Sequence, residues 1–293
     1  EALDAAQSAQ NGEDTQENGD ADTYASTEND LKNRIVHLDC GRKYFTVQQI
    51  KTLIDTMAQY KYNQLQLSFG NGGCRLLLDD MDLTYVNATL TTEYVQTQIK
   101  EGNKKFNGNE NCLTQDEMSA IIAYAKGKNI EIIPMLNMPG HAKAIDYVIS
   151  RETDDILNTS DNTVREFAFA LLKKYVDYFK GQGCKYFHFG SDESKESGTS
   201  MSTFLASCAN IIANAGLRPR AFNDETKLGT AALPNFVQIT YWINYSLNNS
   251  ETAKTLNNRG YQLINTHGNW YYVIKESQSD NPNQKYWNGT VNT

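Results

Sequence analysis

From Arg34 onward, short runs of β-branched and aromatic residues alternate with longer stretches in which apolar side chains recur every three or four positions. The short runs predict strands over 34–40, 62–69, 130–136, 185–190, 218–223, 237–243 and 261–266. The longer stretches predict helices over 46–60, 114–128, 162–180 and 201–215. In the first of these, Ile50, Leu53, Ile54 and Met57 share one face, and the second opens on Thr114 and Glu117 at capping-box spacing. Strand and helix in strict alternation imply parallel pairing, so the fold class is α/β and the length favours a (β/α)8 TIM-type barrel over a small open sheet. Seven strands are countable and an eighth βα unit is missing or irregular: past Tyr272 the chain turns to Ser, Gln, Asn, Pro and Gly. The natural protein is expected either to continue or to close its barrel irregularly.

Two segments depart from the alternation. Residues 70–113 form a long excursion after the second strand, open to two readings, a functional element on the catalytic rim or a variable surface insertion. Residues 1–31 offer almost nothing to bury and read as an acidic disordered linker, with the barrel occupying 32–293.

Charge sharpens that division. The formal net charge of -8 is carried by residues 1–30, where nine of the 35 acids fall and no Lys or Arg does. The remainder is close to neutral, with no basic stripe of the kind nucleic acid requires, so no nucleic-acid partner is expected. Five cysteines without a C-x-x-C pair exclude a dense disulfide scaffold and a zinc ribbon. No apolar run reaches the ~18 residues of a membrane span. Because the chain begins at Glu1 rather than at a Met with a signal peptide, a processed or excised piece is expected.

The candidate chemistry gathers at predicted strand ends. Asp192 and Glu193 follow a strand that closes on Gly190, where barrels keep their reactive groups, and burial beside a charged neighbour would lift Glu193 toward a general acid. The competing reading makes Ser191–Glu193 a helix cap with acids in its first turn. Asn137 and the turn Pro139-Gly140 present His141 at the same rim. His37, Asp39, His141, His188 and Asp192 could mimic a metallohydrolase, but no His-x-His pair supports it, and no metal or cofactor is expected. Trp242 and Trp270, at the ends of the sixth and seventh strands, suit either core or the wall of a sugar pocket; Tyr241 and Tyr261 suit core.

Several blocks then line up in order: Leu38-Asp39-x-x-Arg42, Phe69-Gly-Asn-Gly-Gly, Pro139-Gly-His141, Gly190-Ser-Asp192-Glu193, Phe222-Asn-Asp224, Trp242 and the stretch 265–272. Together they resemble the catalytic domain of glycoside hydrolase family 20, the β-N-acetylhexosaminidases. The Gly70-Asn-x-Gly-x-Arg-x-Leu-Leu-Asp-Asp-Met81 run and the Trp270-Tyr-Tyr-Val ending are most similar to its lacto-N-biosidase branch. The resemblance implies a secreted or cell-surface exo-glycosidase, joined to further domains, that releases terminal β-linked N-acetylhexosamine or lacto-N-biose from glycans. The 2-acetamido oxygen of the substrate would attack the anomeric carbon, an exception to the ordinary two-carboxylate scheme. Glu193 would be the acid and base, and Asp192 would stay ionised to hold the acetamide. The resemblance makes Arg42, Gln66, Asn71, Asn137, His141, Phe222, Asp224, Trp242, Trp270 and Tyr271 the substrate-binding set, with His141 buttressing Glu193 and either Tyr271 or Tyr272 reaching the acetamide. The chain departs from the family pattern at Asn71, where an Asp that supports the His is usual, at Phe222, usually Trp, and in the absent eighth-strand Trp and acid. Gln66 stands where a His is common and would favour a disaccharide. A catalytically impaired carbohydrate-binding barrel is the alternative.

Overall fold

In a computed structural model, residues 32–86, 88–150, 155–194, 198–226, 233–243, 251–267 and 271 are described. The linker at 1–31 and the segment after Tyr271 therefore lie outside the described residues. All seven predicted strands form: β1 (Ile35–Asp39), β2 (Gln64–Asn71), β8 (Glu131–Met138), β9 (Tyr186–Gly190), β10 (Arg218–Phe222), β11 (Gln238–Tyr241) and β12 (Gln262–Asn265), hydrogen-bonded in that order and parallel throughout. Between β2 and β8 lie the short strands β3 (Gly73–Cys74), β4 (Leu76–Leu77), β5 (Leu83–Tyr85), β6 (Ala88–Leu90) and β7 (Leu113–Thr114).

Alternation along each strand separates two environments. On β2, Leu65, Leu67 and Phe69 face outward, and Phe69 packs its ring against Tyr175 and Phe179 of a covering helix. Gln64, Gln66 and Ser68 face inward and are also buried, so the strand is buried along its whole length. The sheet curls on itself, because Arg220 of β10 donates to Gln64 Oε1 of β2, three strands away, at 3.1 Å, and the ring of Phe222 lies 6.5 Å from His37 of β1. No eighth parallel strand is present among the described residues.

The helices are α1 (Val47–Gln59), α2 (Thr92–Asn107), α3 (Gln115–Gly127), α4 (Lys143–Asp146), α5 (Asn162–Gly181), α6 (Thr199–Asn214) and α7 (Ala253–Asn258); they cover the outer face, except that α2 and α4 pack on each other and on β3. Both Thr46 of α1 and Thr114 of α3 close complete capping boxes, with Gln49 and Glu117 returning the bond. Ile50, Ile54 and Met57 are the buried stripe of α1; Leu53, predicted with them, is partly buried.

The excursion at 70–113 is built from short paired strands and a helix. The chain reverses through β3, pairs β5 with β6 and returns along α2. Arg75, 1% exposed, donates to the carbonyls of Gly41, Asn109 and Asn111, and Asn103 clamps both backbone groups of Cys74 at 2.7–2.8 Å. The excursion then grips the β8 rim loop: Gly72 N–H donates to His141 O, Ala144 N–H donates to Gly72 O, and Gly102 lies against Ala144 so closely that a Cβ would meet its Cα at 3.1 Å.

Candidate active site

The chain leaves β9 at Gly190 (φ 81°) and runs through Ser191 (φ 77°) and Glu193 (φ 49°), three left-handed residues out of four. Such a backbone persists only where its surroundings impose it. Here they do: Ser191 N–H donates to Met138 O of β8, Ser191 Oγ to Phe222 O of β10, Glu193 N–H to Asp224 Oδ1, and Ser194 Oγ to Glu225 Oε1. Gly190 has to lack a Cβ, which would sit 1.7 Å from Asn137 Oδ1, and a Cβ on Gly140 would meet Asp192 O at 2.4 Å. The next helix begins at Thr199, so the reading of Asp192 and Glu193 as first-turn acids does not hold.

Asp192 accepts from Asn137 Nδ2 at 2.6 Å, and the chain of amides continues from Asn137 to Asn71 (3.3 Å) and from Asn71 to Asp39 (2.9 Å). Asp39 in turn orders Arg42, accepting its backbone N–H and its guanidinium at 3.1 and 2.7 Å. His141, also left-handed at φ 53°, points Nε2 at Glu193 Oε2 (3.2 Å) with Asp192 Oδ2 at 3.6 Å, and Nδ1 at Asp155 Oδ2 (3.3 Å). Trp242 donates its indole N–H to Asp224 Oδ2 at 2.5 Å. The side chains grade from covered to open: His141 13% and Asp192 17% exposed, Glu193 46% and Arg42 51%. Glu193 and Arg42 therefore face the space a ligand would enter, with Asp192 beneath them.

The electrostatics depart from expectation. Glu193 is held below the usual carboxylate range, chiefly by its hydrogen bond to His141, which outweighs partial burial. His141 is pushed up to about 10 against the cost of its burial, because Asp155 and Glu193 both bond it and Asp192 faces it. Asp192 is raised by burial, with His141 and Asn137 opposing. Asp224, 2% exposed, is raised to about 8 by burial first and then by Asp192. In the free protein, then, the proton of the dyad rests on the imidazole, and the expected lift of Glu193 does not occur because its nearest partner is a cation.

Of the predicted residues, the structure brings together Arg42, Asn71, Asn137, His141, Asp192, Glu193, Asp224 and Trp242. Phe222 lies below them, 4% exposed, against the rings of His188 (4.5 Å) and His37. Gln66 is not brought to the rim: it is 3% exposed inside the barrel and donates to Met135 Sδ, which removes the basis for a contact with a second sugar. Tyr271 is 62% exposed, and its backbone N–H donates to His267 O; Trp270 and Tyr272 lie outside the described residues. His188 is committed to the interior, accepting from Gly190 N–H and bonding Thr240. Among the described residues no three His, Cys, Asp or Glu side chains form a metal-holding group. Sequence reasoning missed Asp155, which follows no motif, and undervalued Asp39, whose place three residues before Arg42 was the available signal.

A curled parallel sheet carrying adjacent carboxylates and a His at the C-terminal ends of its strands defines the class as a TIM-type barrel with its candidate site on the rim where such barrels keep their chemistry. The model of the glycosyl hydrolase family 20 catalytic domain matches residues 32–203, and the chain belongs to that family of glycoside hydrolases. A β-hexosaminidase of Vibrio vulnificus is 24% identical over 88% of this chain and 38% of its own length, and β-hexosaminidase B of Pseudoalteromonas piscicida is 34% identical over 38% of this chain and 15% of its own. The chain thus spans well under half of these curated relatives. Among solved structures, the tandem catalytic modules of the pneumococcal exo-β-D-N-acetylglucosaminidase superpose with a TM-score of 0.77 at 30% identity, covering 85% of this chain and 68% of that one. Dispersin B, at 21% identity, shares the fold with a TM-score of 0.65 over 84% of this chain and 78% of its own.

Proposed function

We propose that this barrel is a retaining exo-hydrolase of terminal β-linked N-acetylhexosamine working by substrate assistance. The observation that carries the reading is the different anchoring of two adjacent carboxylates: Asp192 fixed by Asn137 beneath the site, Glu193 open and paired with His141. A buried, oriented carboxylate suits the acetamide N–H, whose positive charge grows as the carbonyl oxygen attacks the anomeric carbon. A bound sugar strips water from Glu193, which raises the cost of its charged form. The proton then passes from His141 Nε2 across the 3.2 Å contact to Glu193 and on to the departing glycosidic oxygen. The carboxylate left behind takes a proton from the water that opens the oxazolinium. Arg42 would fork onto sugar hydroxyls and Trp242 would wall the acetamide, while the parts the family resemblance gives to Trp270 and Tyr271 rest on that resemblance alone. Lacto-N-biose release is the finer part of this proposal and rests on the 70–81 run and the Trp270-Tyr-Tyr-Val ending, not on Gln66, which is buried inside the barrel.

Release of free sugar from aryl N-acetylglucosaminides and N-acetylgalactosaminides tests the reading. Glu193→Gln should cost about 10²–10⁴-fold on a poor leaving group and far less on a nitrophenolate that departs unaided. Equal losses on both would remove Glu193 as the acid. Sugar affinity with no turnover in the unaltered protein would replace the enzyme with a carbohydrate-binding barrel.

A further inference from the structure

The feature of this site that no motif announces is Asp155. It lies in the segment between α4 and α5, and the main chain stitches that segment to the turn that carries His141. Ala142 N–H donates to Asp155 O at 2.8 Å, and Leu157 N–H donates to Pro139 O at 2.9 Å. The two side chains therefore sit on hydrogen-bonded neighbouring backbones, and the imidazole lies between Asp155 on Nδ1 and Glu193 on Nε2. Asn71, at the position where the family resemblance places a supporting carboxylate, spends its amide on Asp39 and Asn137 instead.

Resting on the proposed function, we infer that Asp155 is the positioning residue of the acid: its carboxylate holds the proton on His141 Nδ1 and fixes the ring so that Nε2 serves Glu193. An imidazole has two nitrogens, and the partner of one decides what the other offers. With a carboxylate on Nδ1, a ring that has given its Nε2 proton to Glu193 keeps Nδ1–H and presents an Nε2 lone pair ready to take the proton back. With an amide in that place, Nδ1 has no anion to hold it, and the neutral ring is free to settle in the other tautomer. The remaining charges that face this ring are Asp192 and Glu193 from the β9 turn and Arg42 from the β1 loop, with Lys143 near Asp155 itself. Of these, only Asp155 approaches the Nδ1 side in hydrogen-bond range.

The test uses the intact chain with nitrogen-15 histidine, in which only four histidines give ring signals. In the unaltered protein His141 should hold its second proton past pH 8 and, when neutral, keep it on Nδ1. Asp155→Asn should bring its titration down by about one pH unit or more and move the neutral ring toward the other tautomer, while Asp155→Glu restores both. On aryl glycosides with poor leaving groups, Asp155→Asn should lower kcat by about 10–100-fold with KM within twofold, and its alkaline limb should move to lower pH. A His141 titration and tautomer unchanged in Asp155→Asn would overturn the inference, whatever happens to turnover. If the unaltered protein releases no sugar, the proposed function fails, yet the ring titration still decides the role of Asp155.

Discussion

Gly190 shows how tightly single positions are constrained at this rim. Its φ of 81° is one that L side chains rarely adopt, and its missing Cβ leaves room for Asn137, the side chain that orients Asp192. Gly190→Ala combines left-handed strain with a steric clash against Asn137 Oδ1 and Cα, each worth about 1–3 kcal/mol. A barrel of this size should lose roughly 5–10 °C of thermal midpoint. Gly127, at the end of α3, meets nothing within 4 Å, and Gly127→Ala should leave the midpoint level or slightly higher. Calorimetry on the two variants distinguishes a site held by close approach from a general intolerance of added methyl groups. Asn137 should also lose its grip on Asp192 in Gly190→Ala, so any activity should fall further than the folded fraction does.

At the scale of elements, the barrel strands were legible because each is a short β-branched or aromatic run between turn residues, and all seven appear within two residues of the predicted ends at most positions. The four predicted helices were legible from their buried stripes and caps. The excursion was not. Helix α2 buries Gln98, Gly102 and Asn103 along with Val95 and Ile99, so its inner face reads as polar in the sequence. The reason lies in its partner: α2 packs on the irregular backbone of β3, which needs hydrogen bonds more than apolar cover. The same logic hid Asp155, whose meaning depends on a loop pairing invisible along the chain, whereas Asp192, Glu193 and His141 sit at strand ends that the periodicity located. Asn103→Ala tests the element directly. It would take the side-chain partner from the buried N–H of Cys74, at a cost of about 1–3 kcal/mol, and leave its carbonyl only the Cys112 thiol at 3.5 Å. Because Gly72, the residue before β3, holds the backbone of His141, urea denaturation should show that loss, and turnover should fall in variants that remain folded. Full activity in a destabilised Asn103→Ala would mean that the excursion supports the fold without setting the site.

For the whole molecule, the interior of the barrel sets the response to pH. The core is polar between β2 and β10: Gln64, Gln238 and the ring of Tyr186, 4.1 Å from the guanidinium carbon, surround Arg220, and burial brings that guanidinium down to about 10. Near it, burial keeps His37 and His188 neutral, with pKa values below the ordinary 6.5. A histidine lowered on folding binds fewer protons native than unfolded, so stability is lost as pH falls below about 6.5. Glu193 and Asp155, also lowered, add to that loss at more acid pH. Groups raised on folding act in the opposite direction, Asp192 among them through its burial. His141, at about 10, contributes stability that is complete below its unfolded value near 6.5 and disappears as pH rises toward 10. Asp224, at about 8 against 3.8 unfolded, binds its proton more tightly in the native state, so stability falls as pH rises from 3.8 to 8. The acid and alkaline losses meet near the unfolded histidine value, and the thermal midpoint should peak at about pH 6. Asp224→Asn removes one alkaline contributor, and its midpoint should decline less between pH 6 and 8 than that of the unaltered chain. A midpoint that continues to rise from pH 6 to 9 would show that neither His141 nor Asp224 is held protonated by the folded barrel.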